Sequence, residues 1–311
     1  MNAAQLKDKI QEVFGDGLFA VALYACVRTD SEPVLRQINF SDVLERRIRA
    51  LLVSEINRLY SSEELELEPV ENIADNRRVL YEIVQNDDFR PFAFLDQAGT
   101  APLYSPPDHD KLLGFVIAAD RNDTRLWFYQ QTYAIAQVQR DHSVYAVLNE
   151  QVFTLLEKEV LKIEERIDIA VIGDSLITSR IDVLQKQFGF ADYIRREAEE
   201  TLDTIRDLGL LQETDKLEAL LGKEALTFAK KLMKVKKSPV LSMKRKELAK
   251  KLKKHPRYRD SFQFSEDGHV ILRSQKDAKE FLKMLNDDFV RSDLSGREYD
   301  SPSKQLLAPL K

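Results

Sequence analysis

Between Lys111 and Ser179 the sequence runs through successive short apolar segments: LLGFVIAA, RLWFYQQT, AIAQVQ, VYAVLN, VFTLLEKEVLKI and IDIAVIGDSLITS. Only brief polar or charged connectors such as ADRNDTR, QRDHS and the Gly173-Asp174 turn separate them. Strands spaced this closely leave no room for crossover helices, so they must pair antiparallel, as a meander or a curled sheet, and a doubly wound nucleotide fold is excluded. After Ser179 the period changes. IDVLQKQFGFADYIRREAEETLDTIRDLGLL is helical, with breaks at Gly189 and Gly209, and a second helix is expected over residues 213–236, ended by Ser238-Pro239. The expected fold is α+β: an antiparallel sheet core in residues 1–180, then a helical, basic C-terminal region with a β-hairpin in residues 181–311.

The N-terminal part reads as an accessory to that sheet. Leu6, Ile10, Val13 and Phe14 mark a short amphipathic helix that Gly15 and Gly17 end, and LFAVALYACV and VLRQINF read as hairpin strands around the turn at Asp30 to Pro33. Ser41 is placed to cap a helix whose inner face carries Leu44, Ile48, Leu51, Leu52, Ile56 and Leu59. SSEELELEPVENIADN reads as a loop or an insertion and TAPLYSPPDHD as a loop; RRVLYEIVQ and PFAFLD are short apolar pieces of either type. Further on, Ser242 is expected to cap MKRKELAKKLKK, which His255-Pro256 closes. FQFSEDGHVILR is a hairpin turned by Asp267-Gly268. The last helix, QKDAKEFLKMLNDDFV, should face inward with Ala278, Phe281, Leu282, Leu285 and Phe289, and the tail from Asp293 should be at most partly ordered.

The formal net charge of −5 conceals a segregation. Residues 230–259 hold fourteen Lys or Arg and one acid, Glu247, which leaves 33 basic and 51 acidic residues for the rest of the chain. An acidic molecule with one dense cationic window attracts a polyanion there and repels it elsewhere. Nucleic acid or anionic lipid is the partner class this implies. The bland alternative is a solvated helix face. The cations concerned are Lys230, Lys231, Lys234, Lys236, Lys237, Lys244, Arg245, Lys246, Lys250, Lys251, Lys253, Lys254, Arg257 and Arg259. Lysine outnumbers arginine among them and Asn and Gln are scarce, which favours phosphate contacts over base reading and hence little sequence specificity. Tyr258, between Arg257 and Arg259, could lie along a sugar-phosphate edge or stack on a base.

Catalytic and cofactor motifs are not found. Ten glycines form neither GxxxxGK[ST] nor GxGxxG, and Leu221-Gly222-Lys223 lacks the upstream glycine a phosphate cradle needs. There is no GxSxG, and turn chemistry accounts for Gly173-Asp174-Ser175. One cysteine, Cys26 in an apolar run, allows neither an internal disulfide nor a multi-cysteine zinc site, and a buried thiol is the expected reading. His109, His142, His255 and His269 lie far apart and read as surface or capping residues. No metal, cofactor or catalytic residue is expected. The one enzymatic alternative is a metal-dependent nuclease using Asp168, Asp174 and Asp182 beside Lys186. A scaffold docking on anionic lipid or an acidic partner is a third reading. No apolar run reaches the roughly 18 residues of a membrane span, and the N-terminus lacks a secretory apolar region, so a cytoplasmic protein is expected.

The succession GFVIAADRNDTRLWFYQQTYAIAQV, then VFTLLEKEVLKIEERIDIAVIGDSLITSRIDVLQKQFGF, then RREAEETLDTI resembles the KwaB family of the Kiwa anti-phage defence system, from about Lys111 to Ser303. Its markers are strand runs, the GD turn and Phe-Gly-Phe. The resemblance implies a DNA-binding effector that blocks phage DNA replication and transcription. It also implies self-association into a homodimer or higher oligomer, and recruitment to the inner membrane face by a membrane-embedded sensor partner, KwaA. It transfers no catalytic residue.

Overall fold

In a computed structural model of the chain, residues 1–30, 32–60, 65–70, 79–132, 146–149, 152–155, 161–236, 238–291 and 298–300 are described. The elements of the first compact unit are α1 (Ala3–Phe14), β1 (Ala20–Val27), β2 (Val34–Ile38), α2 (Asp42–Tyr60), β3 (Leu67–Pro69), β4 (Leu80–Val84), β5 (Leu112–Arg121), β6 (Thr124–Gln131), β7 (Ala146–Asn149), β8 (Val152–Leu155), β9 (Ile169–Ile172), β10 (Ser175–Thr178) and α3 (Ile181–Gln187). The second unit contains α4 (Phe190–Asp207), α5 (Asp215–Lys236), α6 (Arg245–Lys254), α7 (Pro256–Ser261), β11 (Gln263–Phe264), β12 (Val270–Ile271), α8 (Gln275–Leu285), β13 (Phe289–Arg291) and β14 (Glu298–Asp300). The fold is α+β, as the succession of strands and then helices requires.

Eight strands form one sheet in the order β2-β1-β5-β6-β9-β10-β4-β3, antiparallel except for the short β3–β4 pair. Its centre follows directly from the sequence. β5 and β6 turn at Asn122-Asp123, both at positive φ (49° and 63°), the backbone a tight hairpin demands and one that Asn and Asp tolerate. Strand alternation then puts Phe115, Ile117 and Ala119 of β5 and Leu126 and Phe128 of β6 on one face. There they share a core with Leu6, Ile10 and Val13 of α1 and Ile48, Leu52, Ile56 and Tyr60 of α2. On Tyr129 a second cluster forms: Phe92 at 5.7 Å and Phe188 at 5.1 Å, both edge-on.

Gly114 of β5 has no room for a side chain. A Cβ there would lie inside the contact distance of the Gln130 carbonyl and 2.6 Å from the Tyr129 hydroxyl. That hydroxyl donates to Gln187 Oε1 at 2.6 Å and lies 3.1 Å from Leu113 O, so it cannot simply swing away. Gly114→Ala is therefore expected to destabilise the protein by about 1–3 kcal/mol, read as a lower urea midpoint.

Several local expectations are corrected. Leu44 is exposed on the first turn of α2, not part of its inner face. SSEELELEPVENIADN is not all loop, since β3 lies within it and pairs with β4. Ser242 does not cap α6: the N-cap is Lys244, with no side-chain hydrogen bond, and Ser242 belongs to the preceding turn. His255-Pro256 closes α6 but also starts α7, because proline is suited to the first turn of a helix. The final helix stops at Leu285, and Phe289 lies in β13, paired with β14. Gly189 and Gly209 interrupt the helices as expected, each at positive φ. The AIAQVQ segment, His142 and Lys237 lie outside the described residues.

Candidate nucleic-acid interface

The cationic window is carried by the end of α5, the turn after it, α6 and α7. α5 is anchored by Phe228, Ala229, Leu232, Met233 and Val235, all buried, so Lys230, Lys231 and Lys234 fall on its other side. Lys231 is exposed, while Lys230 and Lys234 are half-buried. α6 is fixed by buried Leu248 and Leu252, leaving a mostly cationic outer surface.

Neighbours divide these cations into two groups. Lys236 is already neutralised: it donates to Glu197 Oε2 and Glu200 Oε2 of α4, both at 2.8 Å. Burial works against its charge, but the two carboxylates outweigh that and hold its pKa above the usual lysine value. Lys251 pairs with Glu247 one turn earlier at 3.1 Å. Arg245 meets the His269 ring, and Lys253 lies 5.3 Å over the Phe264 ring, so the two ends of α6 are braced against the β11–β12 hairpin. Lys234 and Arg259 have partners of their own. Arg257 is in α7, and its side chain lies outside what is described.

Among the described residues, the ammonium groups of Lys230, Lys231, Lys244, Lys246, Lys250 and Lys254 have no hydrogen-bonding or ion-pairing partner. Three of these, Lys246, Lys250 and Lys254, are all exposed and spaced four residues apart, which makes a single row with a step of about 6 Å along the helix. At the opposite extreme, Tyr258 is not open for stacking. Its ring lies 4.5 Å from His255 and 6.3 Å from Phe262.

The carboxylates of the nuclease alternative are engaged elsewhere. Asp168 is buried; its Oδ2 accepts from the Gln131 backbone N–H at 2.7 Å, and its Oδ1 lies 3.1 Å from Arg166 and 3.2 Å from Arg180. Burial pushes its carboxyl up, against the pull of that N–H and the two guanidiniums. Asp182 pairs with Arg180 at 2.9 Å and Lys186 at 3.6 Å. Asp174 lies in the β9–β10 turn. Among the described residues no three His, Cys or carboxylate side chains converge as a metal site would need. Cys26 is buried, which raises its thiol pKa. His255 ends α6, His269 meets Arg245, and the side chain of His109 lies outside what is described.

The sequence matches the family described as "Kiwa protein KwaB-like" over residues 109–295, more than half of the chain. The chain belongs to the KwaB-like family. Its match covers the central hairpins, the GD turn, Phe188-Gly189-Phe190 and the whole cationic window. A curated relative, "Kiwa protein KwaB" of Escherichia coli O55:H7 (strain RM12579 / EPEC), is 22% identical over 322 residues and covers 99% of each chain. No solved structure matches. The KwaB-like name supports a component of an anti-phage defence system. Among the described residues of this KwaB-like chain, no helix is long and apolar enough to cross a membrane.

Proposed function

We propose that this KwaB-like chain is a defence effector that holds phage DNA through the unpartnered cations of α5, of α6 and of the α6 N-cap. With little sequence specificity it obstructs replication and transcription, as a cytoplasmic homo-oligomer working with the membrane-embedded sensor KwaA. The observation that carries this reading is the set of six unpartnered ammonium groups on helices otherwise anchored in a core.

Helix stability does not account for those at the start of α6. Lys244, Arg245 and Lys246 stand at the N-terminus of α6, where the helix dipole disfavours cations and only Glu247 offsets them. A polyphosphate reverses that penalty. The nuclease reading loses support because Asp168 and Asp182 are held by arginines that a metal ion would have to displace. The lipid reading loses support because the outward side of α6 offers ammonium groups and no large apolar side chain to insert.

A salt titration tests the proposal. Six phosphate contacts predict a slope of log affinity against log salt of about −5, and a loss of roughly 10³-fold between 50 and 200 mM salt. Fluorescence anisotropy with a labelled duplex measures both. Absence of binding at low ionic strength, or an affinity indifferent to salt, would reject the reading. Duplex left uncut after incubation with Mg²⁺ or Mn²⁺ is the companion result expected, and cleavage would favour the nuclease.

A further inference from the structure

The surroundings of the Lys246–Lys250–Lys254 row bear on which form of DNA it takes. Single-strand binders combine cations with aromatic faces on which the bases stack. Aromatic residues are present beside α6, in His255, Tyr258, Phe262 and Phe264, yet none is in an exposed position. His255 and Tyr258 cover each other at 4.5 Å, and Tyr258 and Phe262 lie nearly parallel at 6.3 Å. Phe262 is buried and meets Phe281 edge-on at 6.0 Å. Phe264 has the Lys253 ammonium over its ring. The rings that could stack on bases are engaged with one another, with Phe281 or with Lys253.

What remains is a fixed row of point charges on a helix held at Arg245 by His269 and at Lys253 by Phe264. Such a row gains from phosphate density alone. Duplex DNA has one negative charge per roughly 1.7 Å of axis, and each contact there releases more counterion than on a single strand, about 0.9 against about 0.7. Unstacked bases of a single strand would have nothing to pack against and would add no compensating attraction.

We infer that this surface selects duplex over single-stranded DNA, by charge density and without base stacking. The inference rests on the DNA-holding reading above and names the form of DNA it applies to. Over six contacts the difference in counterion release amounts to roughly tenfold at about 0.1 M salt, with the steeper salt slope on the duplex.

The experiment is anisotropy of the full chain with a labelled duplex and with each of its separated strands, from 50 to 200 mM salt. Tyr258→Leu is included, its folding checked by circular dichroism. The expected result is duplex binding about tenfold tighter at 100 mM, with a steeper slope and a ratio that Tyr258→Leu leaves unchanged. Single strands bound as tightly as the duplex, or a loss in Tyr258→Leu confined to single strands, would overturn duplex selection while leaving DNA holding intact. Failure of all three probes to bind at 50 mM would overturn both.

Discussion

Charge reversal at Lys246, Lys250 and Lys254 together is expected to weaken duplex DNA binding by more than two orders of magnitude at about 0.1 M salt. Three phosphate contacts each releasing about 0.9 counterion are worth roughly 500-fold at that concentration, and the introduced repulsion adds to the loss. The salt slope should fall by about 3 at the same time, which a general loss of protein would not produce. All three side chains are exposed and unpartnered, so the helix keeps its Leu248 and Leu252 anchors and its melting temperature should barely move. A variant of opposite sign completes the test. Glu247→Gln releases Lys251 from its 3.1 Å pair and should raise affinity by up to about tenfold, steepening the slope by about one. Unchanged binding in the triple variant would take the row out of the interface.

Asp168→Asn is expected to cost about 2 kcal/mol of stability, the order of a hydrogen bond to a charged group. The carboxylate is buried between Arg166 and Arg180 and accepts the Gln131 N–H, which joins the end of β6 to the residue before β9. Removing its charge takes away the buried carboxylate that the two guanidiniums share, leaving Arg166 with Glu164 and Arg180 with Asp182. Breaking a buried pair from one side costs about 3–5 kcal/mol. The expected cost falls below that range because both arginines keep a second carboxylate and still reach solvent, at 23% and 31% exposure. Urea denaturation measures the loss, and a midpoint equal to wild type would mean that Asp168 does not hold the sheet. Were Asp168 a catalytic acid, the same substitution would instead spare stability and abolish a cleavage activity.

Much of this was legible in the sequence because it depends on near neighbours. The β5–β6 and β9–β10 hairpins are set by Asn122-Asp123 and Gly173-Asp174, and the helix breaks by Gly189 and Gly209. Each is a backbone preference of one or two residues. The cationic window is a matter of composition, and even the Lys246–Lys250–Lys254 row and the Glu247–Lys251 pair follow from four-residue spacing. Other features were not legible locally. Leu44 fits the apolar period of α2 yet is exposed, because a helix end can outrun the core it packs on. Phe289 continues the period of α8, but the helix has already ended, and β14 takes the segment as a strand partner.

The sequence by itself therefore determined that strands precede helices, where they turn, and that one stretch gathers most of the uncompensated positive charge. Only the tertiary structure decided which of those charges still face water. The reason is that a cation's partner is chosen by distance in space: Glu197 and Glu200 lie more than thirty residues before the lysine they neutralise, and His269 and Phe264 come from a hairpin beyond the helix they brace.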